Sequence, residues 1–147
     1  MILVDTGPLV ALFEPKDEDH AITDRTLAEL KSPLVTTVAV LTEAFHLLDP
    51  ASRGSDALRE FIGARGLGIW FMDSVRLARA FELMQKYADR PMDLADASLV
   101  AAAETLRTTQ VFTLDRNDFS TYRARIGRTW KRFDVLDPAA RSSSRAR

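Results

Sequence analysis

The chain has 147 residues, 46% hydrophobic and 28% charged, which describes one globular domain with material for a real core and excludes disorder as its default state. A formal net charge of −1 excludes a global basic field, so any nucleic-acid partner must be held by a local patch or by metal ions. The absence of cysteine excludes disulfides, thiolate nucleophiles and zinc–thiolate centres together.

Ile2 to Val4 read as a short buried strand, followed by Asp5-Thr6-Gly7 and by a helix in which Pro8 sits in the first turn and which Glu14-Pro15 stops. Asp17 to Lys31 is a polar helix with a thin stripe of Ile22, Leu27 and Leu30, and it places His20 in solvent. Leu34 to Thr36 form a second strand, and Thr36 or Thr37 caps an apolar helix from Val38 to Leu48 that Asp49-Pro50 closes. A helix over Asp56 to Arg65 precedes the strand Gly68 to Phe71, and Asp73 or Ser74 caps a helix over Val75 to Tyr87. After the Pro91 turn a helix runs from about Asp93 to Leu106, then come a strand over Gln110 to Leu114 and a last strand over Lys131 to Val135.

Strands separated by helices predict an α/β fold, a three-layer α/β/α domain with a mostly parallel central sheet of four to five strands over residues 1–138. Residues 139–147, serines among arginines without an apolar anchor, read as a disordered basic tail. The start carries no signal-peptide pattern, and no apolar run approaches the roughly 20 residues of a spanning helix, so the expected location is cytoplasmic, without a membrane partner.

In parallel α/β sheets ligands bind beyond the carboxyl ends of the strands. Asp5 follows the first strand and Asp115 the fourth, while Asp93 and Asp96 open a helix that begins at the same edge. Glu43 is the single acid of an otherwise apolar helix, and burial there is unfavourable unless a cation or donors meet it. Taken singly, Asp93 reads as a helix cap, Asp118 as a turn residue, and Asp115 equally as turn or site residue. Taken together, Asp5, Glu43, Asp96 and Asp115 on one edge repel one another and call for a cation between them. An all-oxygen donor set selects Mg²⁺ or Mn²⁺, a centre suited to phosphodiester hydrolysis.

An aspartic protease would need a second Asp-Thr-Gly loop in a β-rich fold, and a phosphoacceptor receiver domain would need paired acids after the first strand; neither is present. The chain resembles instead the PIN domain (PilT N-terminus) nucleases, specifically the VapC-type toxins of toxin–antitoxin pairs. The resemblance rests on Val4-Asp5-Thr6-Gly7-Pro8-Leu9, on Thr42-Glu43, on the run from Asp93 to Ala101, and on Val111-Phe112-Thr113-Leu114-Asp115-Arg116-Asn117-Asp118-Phe119.

That resemblance implies a metal-dependent endoribonuclease acting on transfer or ribosomal RNA, a homodimer neutralised by a cognate antitoxin protein. It assigns Asp5, Glu43, Asp96 and Asp115 as metal ligands and catalytic acids, with Thr6, Thr113 and Asp93 behind them. RNA contacts are expected from Arg116, Arg123 and Arg128, in a stretch that also holds Arg125, Lys131 and Arg132 among Tyr122, Trp130 and Phe133. The same sequence also accommodates an RNA-processing nuclease without an antitoxin, or a PIN-like domain that binds RNA or protein without cleaving it.

Overall fold

The structure is a computed structural model that describes residues 1–140. Its central sheet is built from β1 (Ile2–Val4), β2 (Leu34–Thr37), β3 (Gly68–Trp70), β4 (Gln110–Phe112) and a further strand, Asp134–Leu136, at the edge beyond β4. The strand order is β3-β2-β1-β4 and then this edge strand, with every neighbouring pair parallel. Buried on both faces, Ile2, Leu3, Val4, Val111 and Phe112 show the continuous apolar runs that a covered parallel sheet requires.

The helices are α1 (Thr6–Phe13), α2 (His20–Glu29), α3 (Val38–Leu48), α4 (Arg53–Gly63), α5 (Ser74–Lys86), α6 (Leu94–Leu106) and α7 (Arg116–Thr121). α1 packs against α2, α3 and α4, and α5 packs against α6. Helices flank the parallel sheet as expected, and α3 also packs against α6. The chain moves outward from β1 to β2 to β3 and then returns to lay β4 on the free side of β1. The gap between β1 and β4 is therefore the topological switch point, where loops leave in opposite directions and open a crevice.

Differences from the sequence expectation have local causes. α2 is shorter than expected, and His20 at its start is half-buried, with Nδ1 2.7 Å from the Ala11 carbonyl oxygen. α4 begins earlier, because the Ser52 hydroxyl caps it by accepting the Ser55 N–H at 3.1 Å. The run read as turn residues after Asp115 is helix α7. The single strand expected over Lys131 to Val135 is two strands in different sheets. Arg123–Ile126 and Thr129–Arg132, β5 and β6, form an antiparallel hairpin, and Asp134–Leu136, now β7, joins the parallel sheet. Buried Phe133 separates them, its ring edge-on to Phe119 at 5.5 Å.

The hairpin turns at Gly127, whose φ of +65° is the positive value a two-residue turn needs in its first position. It lies along α6, held by the Arg125 N–H on the Glu104 carboxylate at 2.9 Å. Glu104 also takes a forked pair of bonds from Arg79 of α5, at 2.9 and 3.0 Å, so one carboxylate ties α5, α6 and the hairpin together. Of the tail expected from residue 139, Ala139 donates its N–H to Asp137 at 2.9 Å, and the part from residue 141 lies outside the described residues.

One close approach fixes the helical layer over α1. A Cβ added at Gly54, in the first turn of α4, would stand 2.3 Å from the Phe13 carbonyl oxygen, so only glycine lets α4 reach the end of α1. Gly54→Ala is expected to destabilise the fold by about 1–3 kcal/mol through this overpacking. The measurement is the urea midpoint, and an unchanged midpoint would contradict the contact.

Candidate metal centre

At the tip of β1 the Asp5 side chain caps α1, its Oδ1 accepting the Thr6 N–H at 2.8 Å. Its Oδ2 accepts the Thr113 hydroxyl at 2.7 Å, a bond that crosses the switch point from the residue just after β4. Thr113 is fully buried and its oxygen in turn accepts the Asp115 N–H at 2.9 Å, which sets the direction in which the chain leaves β4. Asp115 then caps α7 by accepting the Asp118 N–H at 3.2 Å. Gly7 keeps this assembly tight, since a Cβ there would meet Leu114 Cβ at 3.3 Å.

The other wall comes from α6. Asp93 caps it, accepting the Asp96 N–H at 2.8 Å, and Asp96 one turn inside accepts the Tyr122 hydroxyl on Oδ2 at 2.9 Å. Below them the Ser98 and Thr37 hydroxyls meet at 2.6 Å and join α6 to the end of β2. Asp5, Thr6, Glu43, Asp93, Asp96 and Asp115 thus line one crevice of about 570 Å³. Arg116, Asp17, Asn117 and Asp118 add further polar groups to its wall.

Glu43 departs from its expected setting. α3 buries Val40, Ala44 and Leu48 but turns Thr42, Glu43, His46 and Leu47 outward, so Glu43 stands exposed at the mouth rather than buried. Its charge is still felt by Asp5.

Electrostatics record the crowding. Asp5 is only 8% exposed, and its carboxyl is pushed up to about 6, by burial first and further by the charges of Glu43 and Asp115, against the lowering donors Thr113 and Thr6. Asp96 is pushed up to about 8, again by burial first, then by Asp5 and Asp93, with Asp118 adding to the repulsion and the Tyr122 bond opposing it. Asp118 is also raised, by burial and then by Asp115. Its part in the acidic set was read as that of a turn residue; the signal is the Asp115-x-x-Asp118 spacing directly after a strand, which is cap plus first-turn acid at the ligand edge.

The donor chemistry fits a hard divalent cation. Every polar lining group named here apart from Arg116 offers oxygen, and the Thr6 hydroxyl oxygen is buried beside Asp5 with no protein partner among the described residues. Among those residues no three acid or histidine side chains already close on one point. Mg²⁺ does not require that, because it binds through one or two carboxylates and keeps several waters.

The three arginines expected to contact RNA are dispersed. Arg116 lines the crevice, exposed, next to Asp115. Arg123 lies behind α7 and spends one guanidinium nitrogen on the carbonyls of Ser120, Thr121 and Tyr122 at 2.7–3.0 Å. Arg128 sits in the hairpin turn next to Gly127, where a Cβ would lie 3.9 Å from the Arg107 guanidinium at the far end of α6, about 16 Å along that helix from Asp96. Tyr122 and Phe133 are buried, while Trp130 is 43% exposed with the Lys86 ammonium 3.3 Å over its ring.

Comparisons with known proteins bear on the family and the fold. A family model described as the PIN domain matches residues 2–124. Ribonuclease VapC26 of Mycobacterium tuberculosis is 32% identical over 130 residues, spanning 83% of this chain and 92% of the relative. The crystal structure of M. tuberculosis VapC20, a sarcin–ricin loop cleaving toxin, superposes with a TM-score of 0.73 at 21% identity, over 80% of this chain and 92% of that one. A toxin–antitoxin complex from Klebsiella pneumoniae gives 0.64 at 20% identity, over 94% and 98%.

Raised carboxyl groups make stability depend on pH. The folded chain keeps a proton on Asp96 up to about pH 8 that the unfolded chain, with an ordinary value of 3.8, has already lost; Asp5 does the same up to about pH 6. This contribution is fully present below about pH 4 and is lost as pH rises through those values. In chelator, the denaturation midpoint is expected to fall between pH 5 and pH 8, and Asp96→Asn to flatten the upper part of that fall. A midpoint that climbs across the window would be the contrary result.

Proposed function

Because the chain belongs to the PIN domain family, we propose that it is a metal-dependent endoribonuclease and the toxin of a toxin–antitoxin pair, hydrolysing phosphodiester bonds in structured RNA of the transfer or ribosomal class. The observation that carries the reading is the convergence of Asp5, Asp96, Asp115 and Glu43 on the crevice at the switch point.

Asp5 and Asp96 are the innermost acids and would hold Mg²⁺ or Mn²⁺, with Glu43 and Asp115 ordering water around it. When bound, such a cation supplies water deprotonated near neutral pH and neutralises phosphate charge. The chain's own part is orientation. Thr6 and Thr113 fix the Asp5 carboxylate, and Asp93 fixes the start of the helix that carries Asp96. Arg116 stands where it would meet a phosphate of the incoming strand, and the raised values of Asp5 and Asp96 mean that cation binding displaces protons.

For partners, the proposal includes a cognate antitoxin, supported by the fold shared with the chain in the Klebsiella toxin–antitoxin complex. A homodimer is supported by the exposed apolar residues Phe71 (74% exposed), Val75 (66%) and Val38 (48%), of which Val38 and Phe71 follow the paired sheet residues Thr37 and Trp70. A cytoplasmic location is in keeping with the absence of cysteine, and among the described residues no helix is long and apolar enough to cross a membrane.

Three outcomes test the reading. Asp5→Asn is expected to lose both RNA cleavage and the heat of Mn²⁺ binding by calorimetry while remaining folded, and excess EDTA is expected to silence the wild type; cleavage that survives either change refutes the assigned centre. Arg116→Ala is expected to weaken RNA binding and to lower the slope of log affinity against log salt by about 0.7–0.9, the loss of one phosphate contact. An unaltered slope would return Arg116 to the solvated surface.

A further inference from the structure

Tyr122 is the residue that links α7 to β5, and its ring is 1% exposed. It is held edge-on between Tyr87 at 5.1 Å and Phe119 at 5.3 Å. The Tyr87 hydroxyl is fixed as well, by the Arg123 N–H at 2.9 Å. Two flanking rings and one hydrogen bond from its own hydroxyl hold the Tyr122 side chain in place. That hydrogen bond ends on Oδ2 of Asp96.

Set beside Asp5, this gives a pattern in the two innermost acids. Asp5 has the Thr6 N–H on one oxygen and the Thr113 hydroxyl on the other. Asp96 has Tyr122 on Oδ2, and among the described residues no donor on Oδ1. Three of the four carboxylate oxygens therefore already carry a protein donor. To chelate a cation with both oxygens, Asp96 would have to share or give up the Tyr122 bond, leaving a buried phenol without its acceptor.

Cations differ in how much that matters. Mg²⁺ takes near-octahedral sites at 2.0–2.1 Å with one oxygen from each of one or two carboxylates, whereas Ca²⁺ takes six to eight oxygens at 2.3–2.6 Å and readily uses both oxygens of one carboxylate. We propose that Tyr122 is a positioning residue that keeps Asp96 a one-oxygen ligand, and that the crevice thereby favours a small octahedral cation over calcium. This rests on the reading of the crevice as a metal centre and adds the origin of its ion selectivity.

Calorimetric titration of Mg²⁺ and of Ca²⁺ into the wild type, Tyr122→Phe and Tyr87→Phe tests it. Tyr122→Phe keeps the ring and its packing, so the fold is retained, and the ratio of Ca²⁺ to Mg²⁺ affinity is expected to rise roughly tenfold, the weight of one hydrogen bond to a charged acceptor. Tyr87→Phe removes the neighbouring hydroxyl, which accepts the Arg123 N–H and does not touch Asp96, and is expected to leave the ratio at its wild-type value. If Tyr122→Phe weakens both ions equally, or if the two variants shift the ratio alike, the residue serves the fold alone and the proposal is overturned while the metal centre stands. A wild type that binds neither ion at millimolar concentration removes the centre and the proposal together.

Discussion

Acidic side chains crowded into one crevice, with Asp5 buried at its base, are the constraint around which this molecule is organised. Parallel strands β1 and β4 end side by side, and each hands an aspartate to the same edge, while the first turn of α6 adds Asp93 and Asp96. Repulsion among these groups would splay the loops apart if each carboxylate were not tethered. Every tether is a donor from a different element: the α1 backbone and Thr113 for Asp5, the α6 backbone for Asp93, Tyr122 for Asp96, the α7 backbone for Asp115. The caps of three helices are thus also the walls of the site, so helix termination and ligand geometry are the same set of bonds.

Much of this was legible in the sequence because burial and capping leave patterns. The strands at Ile2–Val4 and Gln110–Phe112 rest on apolar residues and that at Leu34–Thr37 on β-branched ones, and Asp93 stands where a cap must stand. The β5–β6 hairpin was not legible, since all four residues of β6 are exposed and alternate in nothing that a strand pattern can detect. Phe133 looked like the middle of a strand because it is buried, yet what buries it is the stack on Phe119 rather than a sheet neighbour. Glu43 misled in the opposite sense: an acid among apolar residues suggested burial, but α3 has a wet face that also exposes Val38 and Leu47. Tyr122 was counted with the aromatics of a basic stretch, and only the three-dimensional return of the chain onto α6 brings its hydroxyl to Asp96.

The distribution of positive charge follows from the same architecture. Arg79 is committed to Glu104 and Glu82, Arg123 to the end of α7, and Lys86 to the ring of Trp130. These cations stiffen the layer formed by α5, α6 and the hairpin instead of forming a continuous basic track. With a net charge of −1 the protein has no global basic field, so a polyanion would have to be met by local groups, of which Arg116 is the one lining the crevice.

The Thr113–Asp5 bond joins residues 108 positions apart. Contacts of such separation close late in folding, because the loop entropy must be met before the bond can form. On a growing chain, Asp5 therefore emerges with only its neighbour Thr6 to donate to it and waits through β2, α3, β3, α5 and α6 for Thr113. Asp96 waits in turn for Tyr122. The crevice is one of the last features to come into being during synthesis, and a fragment ending before Thr113 would contain most of the sheet and none of the completed site.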